Sequence, residues 1–200
     1  MAKKKEFDKE IRCIGTCKRS TEDSRVIEGV AISFNSDSQD IGWIERILPE
    51  AVNDELIKKS DIIMNIDHTP SRLLARSRYG KGSLQTWIES DGVHFRFEAP
   101  KTATGDEALE LLDRGDLYGC SFCFVVSDED DAEEWVFDPS IGRSRRYIKK
   151  IERLFDYSLV TEPCFLASKA STRSAENIED IMCSLNALQA ELDDLAKVEL

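Results

Sequence analysis

Apolar and polar positions alternate with a period of two through most of the middle of the chain, the pattern of half-buried β-strands. In V-H-F-R-F-E-A, Val93, Phe95 and Phe97 share one face while His94, Arg96 and Glu98 share the other. S-L-Q-T-W-I-E-S alternates just before it, and Asp91-Gly92 between the two is a hairpin signal. Further strands are expected at Glu10–Thr16, Arg25–Phe34, Trp43–Ile47, Ile62–Ile66, Cys120–Ser127 and Trp135–Phe137. Ile151–Val160 reads as a strand pair or one long bent strand. Gly29 within the second strand marks a bulge or a close approach.

Helical spacing occurs in three places. Pro49 opens a short helix expected to run to about Lys58, with Val52, Leu56 and Ile57 on one side. Thr104 or Asp106 is expected to cap a second, G-D-E-A-L-E-L-L-D-R-G-D-L, which Gly115 stops. Ile178, Ile181, Leu185, Leu188, Leu192 and Leu195 lay a heptad seam along a third, Glu176–Leu200. Small polar residues at Ser168–Ala175 read as a linker before it. The expected organisation is therefore a body over 1–167, a linker over 168–175 and an acidic amphipathic helix over 176–200, suited to dimerisation or targeting. Short, turn-separated strands that do not alternate with long helices favour a mainly β (α+β) fold. The architecture expected is a partly closed β-barrel with short flanking helices and a C-terminal helical tail.

Charge narrows the function classes. Lys and Arg number 27 and Asp and Glu 39, a formal net charge of −12 over 200 residues. Such a surface repels phosphate, so a nucleic-acid partner is not expected. No run of 18 apolar residues is present, so no membrane span is expected. Met1–Glu6 leads into no apolar stretch, so no signal peptide is read, and the six cysteines are expected as free thiols in a reducing compartment. Two local charge runs stand out. Asp128–Glu134 (D-E-D-D-A-E-E) reads as an exposed acidic loop, and Arg143–Lys150 (R-S-R-R-Y-I-K-K) as a basic one. The basic run suits a carboxylate partner, the chain's own acidic loop included.

Candidate chemistry is sparse. His68 and His94 are the two histidines available as a general base near neutral pH. His94 lies mid-strand and reads as an ordinary strand residue, whereas His68 ends an apolar strand, where a scaffold holds a reactive group fixed yet accessible. Cys120 and Cys123 have C-x2-C spacing, but a strand puts them on opposite faces and no second pair matches, so no metal is expected. No glycine-rich phosphate loop is present, and no cofactor is expected. Cys120-Ser121-Phe122-Cys123 offers a serine and two thiols as nucleophiles.

The order of these features resembles the prohead proteases of tailed bacteriophages, the capsid-maturation serine peptidases of the HK97 type, distantly similar to herpesvirus assemblins. The resemblance rests on E-G-V-A-I-S-F (Glu28–Phe34), W-I-E-R-I-L-P-E-A (Trp43–Ala51), Ile66-Asp67-His68, G-D-L-Y-G-C-S-F-C-F (Gly115–Phe124) and I-E-R-L-F-D-Y-S-L-V-T-E-P (Ile151–Pro163). Cys123 and Cys164 replace a glycine and an alanine of the family pattern. The resemblance implies Ser121 as nucleophile, His68 as general base and Asp156 as the third member, with Asp67 and Glu162 as alternatives for it. It implies an endopeptidase that cuts capsid scaffold, or the scaffolding segment of the major capsid protein, and also itself. It implies work inside the immature prohead in the host cytoplasm, as a homodimer. Assemblins use a second histidine as third member, which the position of His94 does not allow, and an arginine-bearing loop for the oxyanion, for which Arg145 and Arg146 stand in the wrong order. Two other readings compete: a non-catalytic structural capsid protein, and a cysteine hydrolase using Cys120 or Cys123.

Overall fold

The computed structural model describes residues 9–21 and 24–161. The expected linker and acidic helix, and Glu162 and Cys164, lie outside the described residues. Among these residues the chain forms β1 (Glu10–Arg19), β2 (Val26–Ser33), β3 (Ile44–Ile47), α1 (Asp54–Lys59), β4 (Asp61–Ile66), β5 (Ala75–Arg78) and β6 (Lys81–Gly82). It continues with β7 (Gln85–Glu89), β8 (Gly92–Glu98), α2 (Ala103–Asp113), β9 (Gly119–Val126), β10 (Glu133–Asp138), β11 (Arg143–Ile148) and β12 (Ile151–Val160). Nine strands make one sheet in the order β6-β5-β4-β12-β9-β1-β2-β8-β7, and β10-β11-β3 make a second.

The large sheet is a nearly closed barrel, as the alternation predicts, and connectivity explains the curl. Its two edge strands, β6 and β7, are consecutive in the chain and only Ser83 and Leu84 separate them. A two-residue link spans about 10 Å at most, so the sheet's ends must come round to meet. Inside, Phe95, Phe122, Phe124, Ile27, Ile62, Met64 and Tyr157 are fully buried. The Phe95 and Tyr157 rings lie 6.4 Å apart across the interior, joining β8 to β12. Gly29 is the close approach foreseen: a Cβ there would stand 2.0 Å from the Thr16 carbonyl oxygen.

Several local expectations change. The helix at Pro49 breaks into a 3-10 turn, Pro49–Ala51, and a separate α1. Val52 ends the turn with extended backbone, and Asn53 starts α1 afresh, its side chain accepting the Leu56 N–H at 2.8 Å as the cap. Thr102, rather than Thr104 or Asp106, caps α2, accepting the Gly105 N–H at 3.3 Å. Arg143–Ile148 is a strand, not a loop, because it has a partner on each edge: β10, which begins with the last two residues of the acidic run, and β3. β10 and β11 pair with Glu133 opposite Ile148 and Asp138 opposite Arg143. Ion pairs Arg146–Glu133, Lys149–Glu134 and Lys150–Glu129 join the two runs.

A buried charge cluster ties the small sheet to the barrel. Arg12 Nε donates to Glu45 at 2.6 Å, and Arg146 donates to Glu10 at 2.5 Å and to Glu45 at 3.0 Å. Arg12, Glu45 and Arg146 are all buried. Burial pushes the Glu10 carboxyl up, but the neighbouring Arg146 and Arg12 guanidiniums outweigh it and hold it below its ordinary 4.5.

Candidate active site

Three strands deliver three polar side chains to one point. β9 is central in the barrel, between β1 and β12, and carries Ser121. Residues opposite one another across paired strands project to the same face. Ser121 is opposite Ser158 on β12 and Cys13 on β1, and Ser158 is opposite Asn65 on β4. Asn65, Ser158, Ser121 and Cys13 therefore form a row on the outer face, and Asp156 lies on that face two residues before Ser158. β12 runs parallel to β4, so the chain leaving β4 at Ile66 turns directly over this row.

That turn is tight. Thr69 N–H donates to the Ile66 carbonyl at 3.0 Å, and Asp67 and His68 both take left-handed φ of 50°. For non-glycine residues such a conformation costs on the order of 1–3 kcal/mol each and persists only where the surroundings hold it. The surroundings are explicit. The Asp67 N–H donates to the Leu159 carbonyl at 3.1 Å, and the His68 N–H to Ser158 Oγ at 2.8 Å. Arg72 clamps the Asp67 carboxylate at 3.2 Å and reaches Glu107 of α2 at 2.8 Å.

The turn lays the imidazole between a serine and a carboxylate. His68 Nδ1 is 2.6 Å from Asp156 Oδ1, and Nε2 is 2.7 Å from Ser121 Oγ. A carboxylate only accepts, so Nδ1 carries the proton of the neutral ring and Nε2 presents its lone pair to the hydroxyl. The Ser121 hydroxyl has a second acceptor, the Arg12 carbonyl at 2.9 Å. The site is largely buried: Ser121 is 2% exposed, and the His68 and Asp156 side chains 12% and 14%. The arrangement is chemically that of a hydroxyl activated by an oriented base.

The other candidates lie elsewhere. The Asp67 carboxylate faces Arg72 rather than the imidazole. His94 Nε2 bonds Asp91 at 2.8 Å, and its ring stacks on Trp87. Arg145 is held by Asp37 and Asp138, and Arg146 by Glu10, Glu45 and Glu133, so both guanidiniums serve the small sheet. Cys120 and Cys123 fall on opposite faces of β9, as expected, which rules out joint ligation. Glu89, Asp91 and His94 do bring one potential ligand atom each within 4.8 Å of one another, on the exposed β7–β8 hairpin. Sequence reading missed Ser158, the Arg12 carbonyl and Asn65, whose buried carboxamide has no hydrogen-bond partner. A serine and an asparagine in strands carry no signal until the register puts them beside Ser121.

The thiols make poor nucleophiles. Burial, reinforced by the Asp156 charge, pushes Cys123 up to about 12, and burial beside Cys13 pushes Cys17 up to about 12. Cys120, fully buried, is raised well above 9.0. At neutral pH none supplies a thiolate. A stability consequence follows. Unfolded thiols ionise near 9.0, and folded Cys17 and Cys123 only near 12. In between, the unfolded chain binds fewer protons, so stability falls as pH rises, by about 1.4 kcal/mol per pH unit for each such thiol. Urea midpoints measured from about pH 8 to 10.5 will decline, and Cys17→Ala and Cys123→Ala will each flatten the decline; equal slopes in all three proteins would refute the assignment.

Comparison with known proteins adds three findings. Residues 14–181 match the family model described as Caudovirus prohead serine protease. Among curated proteins none matches. A solved structure, that of the bacteriophage T4 capsid assembly protease gp21, is similar with TM-score 0.52 at 13% identity, over 79% of this chain and 99% of that one. At that identity the likeness concerns the fold.

Proposed function

From the premise that the chain belongs to the caudovirus prohead serine protease family, we propose that its peptidase activity runs through Ser121, His68 and Asp156. The enzyme is a serine-type peptidase of viral prohead maturation, acting on capsid and scaffold proteins. The observation that carries the residue assignment is the unbroken chain Ser121 Oγ–His68 Nε2, 2.7 Å, and His68 Nδ1–Asp156 Oδ1, 2.6 Å.

The chemistry follows from the donors and acceptors. His68 Nε2 takes the hydroxyl proton as Ser121 Oγ attacks the peptide carbonyl carbon. The imidazolium then gives that proton to the leaving amine, which departs and leaves an acyl-enzyme. Water, deprotonated by the same nitrogen, releases the new carboxyl end and restores the serine. Asp156 accepts a hydrogen bond from Nδ1–H throughout, staying ionised while it fixes the tautomer and stabilises the imidazolium. A purely structural capsid role gives no reason for a left-handed turn that aims an imidazole at a buried serine. The test is a fluorophosphonate probe: it labels Ser121 in the wild type and not in Ser121→Ala, and labelling at any other residue would overturn the assignment.

Ser158 is a positioning residue in this reading, since its hydroxyl holds the backbone of the base. Ser158→Ala is expected to lower kcat about tenfold, the size of one lost buried hydrogen bond. Ser158→Thr, which keeps the hydroxyl, should recover most of it. Equal loss in both variants would point to packing instead.

Family membership also supports work inside the immature prohead in the host cytoplasm. A homodimer is proposed on the likeness to assemblins; a sedimentation coefficient of a monomer for the full chain would reject it. No helix among the described residues is long and apolar enough to cross a membrane.

A further inference from the structure

The face that carries Ser121 continues across the barrel into a groove, and we infer that this groove binds a stretch of the substrate chain remote from the scissile bond. The inference rests on the protease reading above and adds a subsite to it.

The register supplies the continuity. Gly119, two residues before Ser121 on β9, is opposite Thr16 on β1; Thr16 is opposite Val30 on β2, Val30 opposite His94 on β8, and His94 opposite Trp87 on β7. Every step keeps the face. Thr16, Val30, His94 and Trp87 thus form a second row on the nucleophile's side of the sheet. These four residues, together with Lys18 and Glu28, line a groove of about 510 Å³.

The lining defines the ligand. Val30 is half-buried, Thr16 and Trp87 are exposed, and the Trp87 indole stands 37% open to solvent although it is among the largest apolar side chains. It is held rather than loose. Its ring stacks on His94 with centroids 5.7 Å apart, and its Nε1 donates to Glu89 at 2.6 Å. A fixed indole beside a valine floor suits an aromatic or branched aliphatic side chain. Glu28 is shared between Lys18 at 3.9 Å and Arg96 at 3.2 Å, so the groove's own charges are already paired.

Spacing fits one extended polypeptide. Strands lie about 4.8 Å apart and rise about 3.3 Å per residue, so the near end at Thr16 is roughly 8 Å from Ser121 and the far end at Trp87 roughly 20 Å. An extended substrate covers those distances in about two to three and about six residues. The occupant is therefore the capsid or scaffold chain being cut, entering with an apolar side chain some residues from the bond attacked.

The experiment uses the full-length enzyme, the capsid protein cut in the same prohead, and two peptides around its mapped cleavage site. One peptide spans about two residues either side, short of Thr16, and the other about eight. Trp87→Ala is expected to raise KM roughly five- to tenfold for the long peptide and the capsid protein, with kcat unchanged and the short peptide unaffected. Thr16→Arg, an exposed site whose new side chain fills the near end, should act in the same sense. An unchanged long-to-short ratio in both variants overturns the groove proposal. So does a KM effect in variants that sedimentation shows to have lost a self-association of the wild type, since the occupant is then a second copy. Ser121→Ala separates the two readings. If it still cleaves, the protease assignment fails; if it is inactive while the ratio stays constant, only the groove does.

Discussion

Ser121→Ala is expected to cleave scaffold about 10⁶-fold more slowly than the wild-type enzyme, because base and orienter then have no hydroxyl to activate. The magnitude follows from how the three groups act as a unit. His68 has one job at Nε2, 2.7 Å from the hydroxyl, and Asp156 acts only through Nδ1, 2.6 Å away. Ser121→Ala, His68→Ala and the double variant should therefore lose similar amounts, not additive ones. Asp156→Asn keeps the shape but offers Nδ1 a donor as readily as an acceptor, which favours the wrong tautomer; a loss of about 10⁴-fold is expected. Single-turnover cleavage of the capsid protein measures each. Full activity in Ser121→Ala would end the assignment, and loss of activity in Cys120→Ser or Cys123→Ser while Ser121→Ala stays active would revive the thiol reading.

The second large effect is on stability. Arg146→Ala is expected to destabilise the fold by about 3–5 kcal/mol, a large share of the ordinary 5–15 kcal/mol of a domain. Arg146 is 3% exposed and reaches Glu10, Glu45 and Glu133 at once. Burial alone would push its pKa down, yet the hydrogen bonds and charges of these carboxylates hold it above the ordinary arginine value. Removing the guanidinium strands buried negative charge, and that accounts for most of the cost. The acid limb should change as well. Glu10 is held below 4.5, so the unfolded chain takes up its proton first; the stability this supplies is present at neutral pH and is lost as pH falls below 4.5 through the folded value. Arg146→Ala removes the main partner and should flatten that limb. Urea unfolding measures both, and a loss under about 1 kcal/mol would show the cluster to be surface-like. Arg12 belongs to the same cluster through its side chain, while its carbonyl faces the Ser121 hydroxyl. Loosening the cluster therefore reaches the nucleophile through one residue's backbone.

The amino-acid sequence by itself determined most of the strands, though not β5, β6 or β11, because burial on a pleated surface forces a two-residue period that survives in V-H-F-R-F-E-A and S-L-Q-T-W-I-E-S without any partner being known. Family motifs along the chain also named Ser121, His68 and Asp156, since nucleophile and base are residue types, and types are written in sequence. Helix starts were less legible: Asn53 and Thr102 cap through side chain to backbone bonds that compete with nearby polar residues of equal merit. Only the tertiary structure decided the rest. Which carboxylate reaches His68 Nδ1 depends on Asp67 turning to Arg72 while Asp156 arrives from a strand 88 residues away. Ser158, Asn65 and the groove at Trp87 are products of register, and register is set by pairings between distant strands that no local pattern encodes.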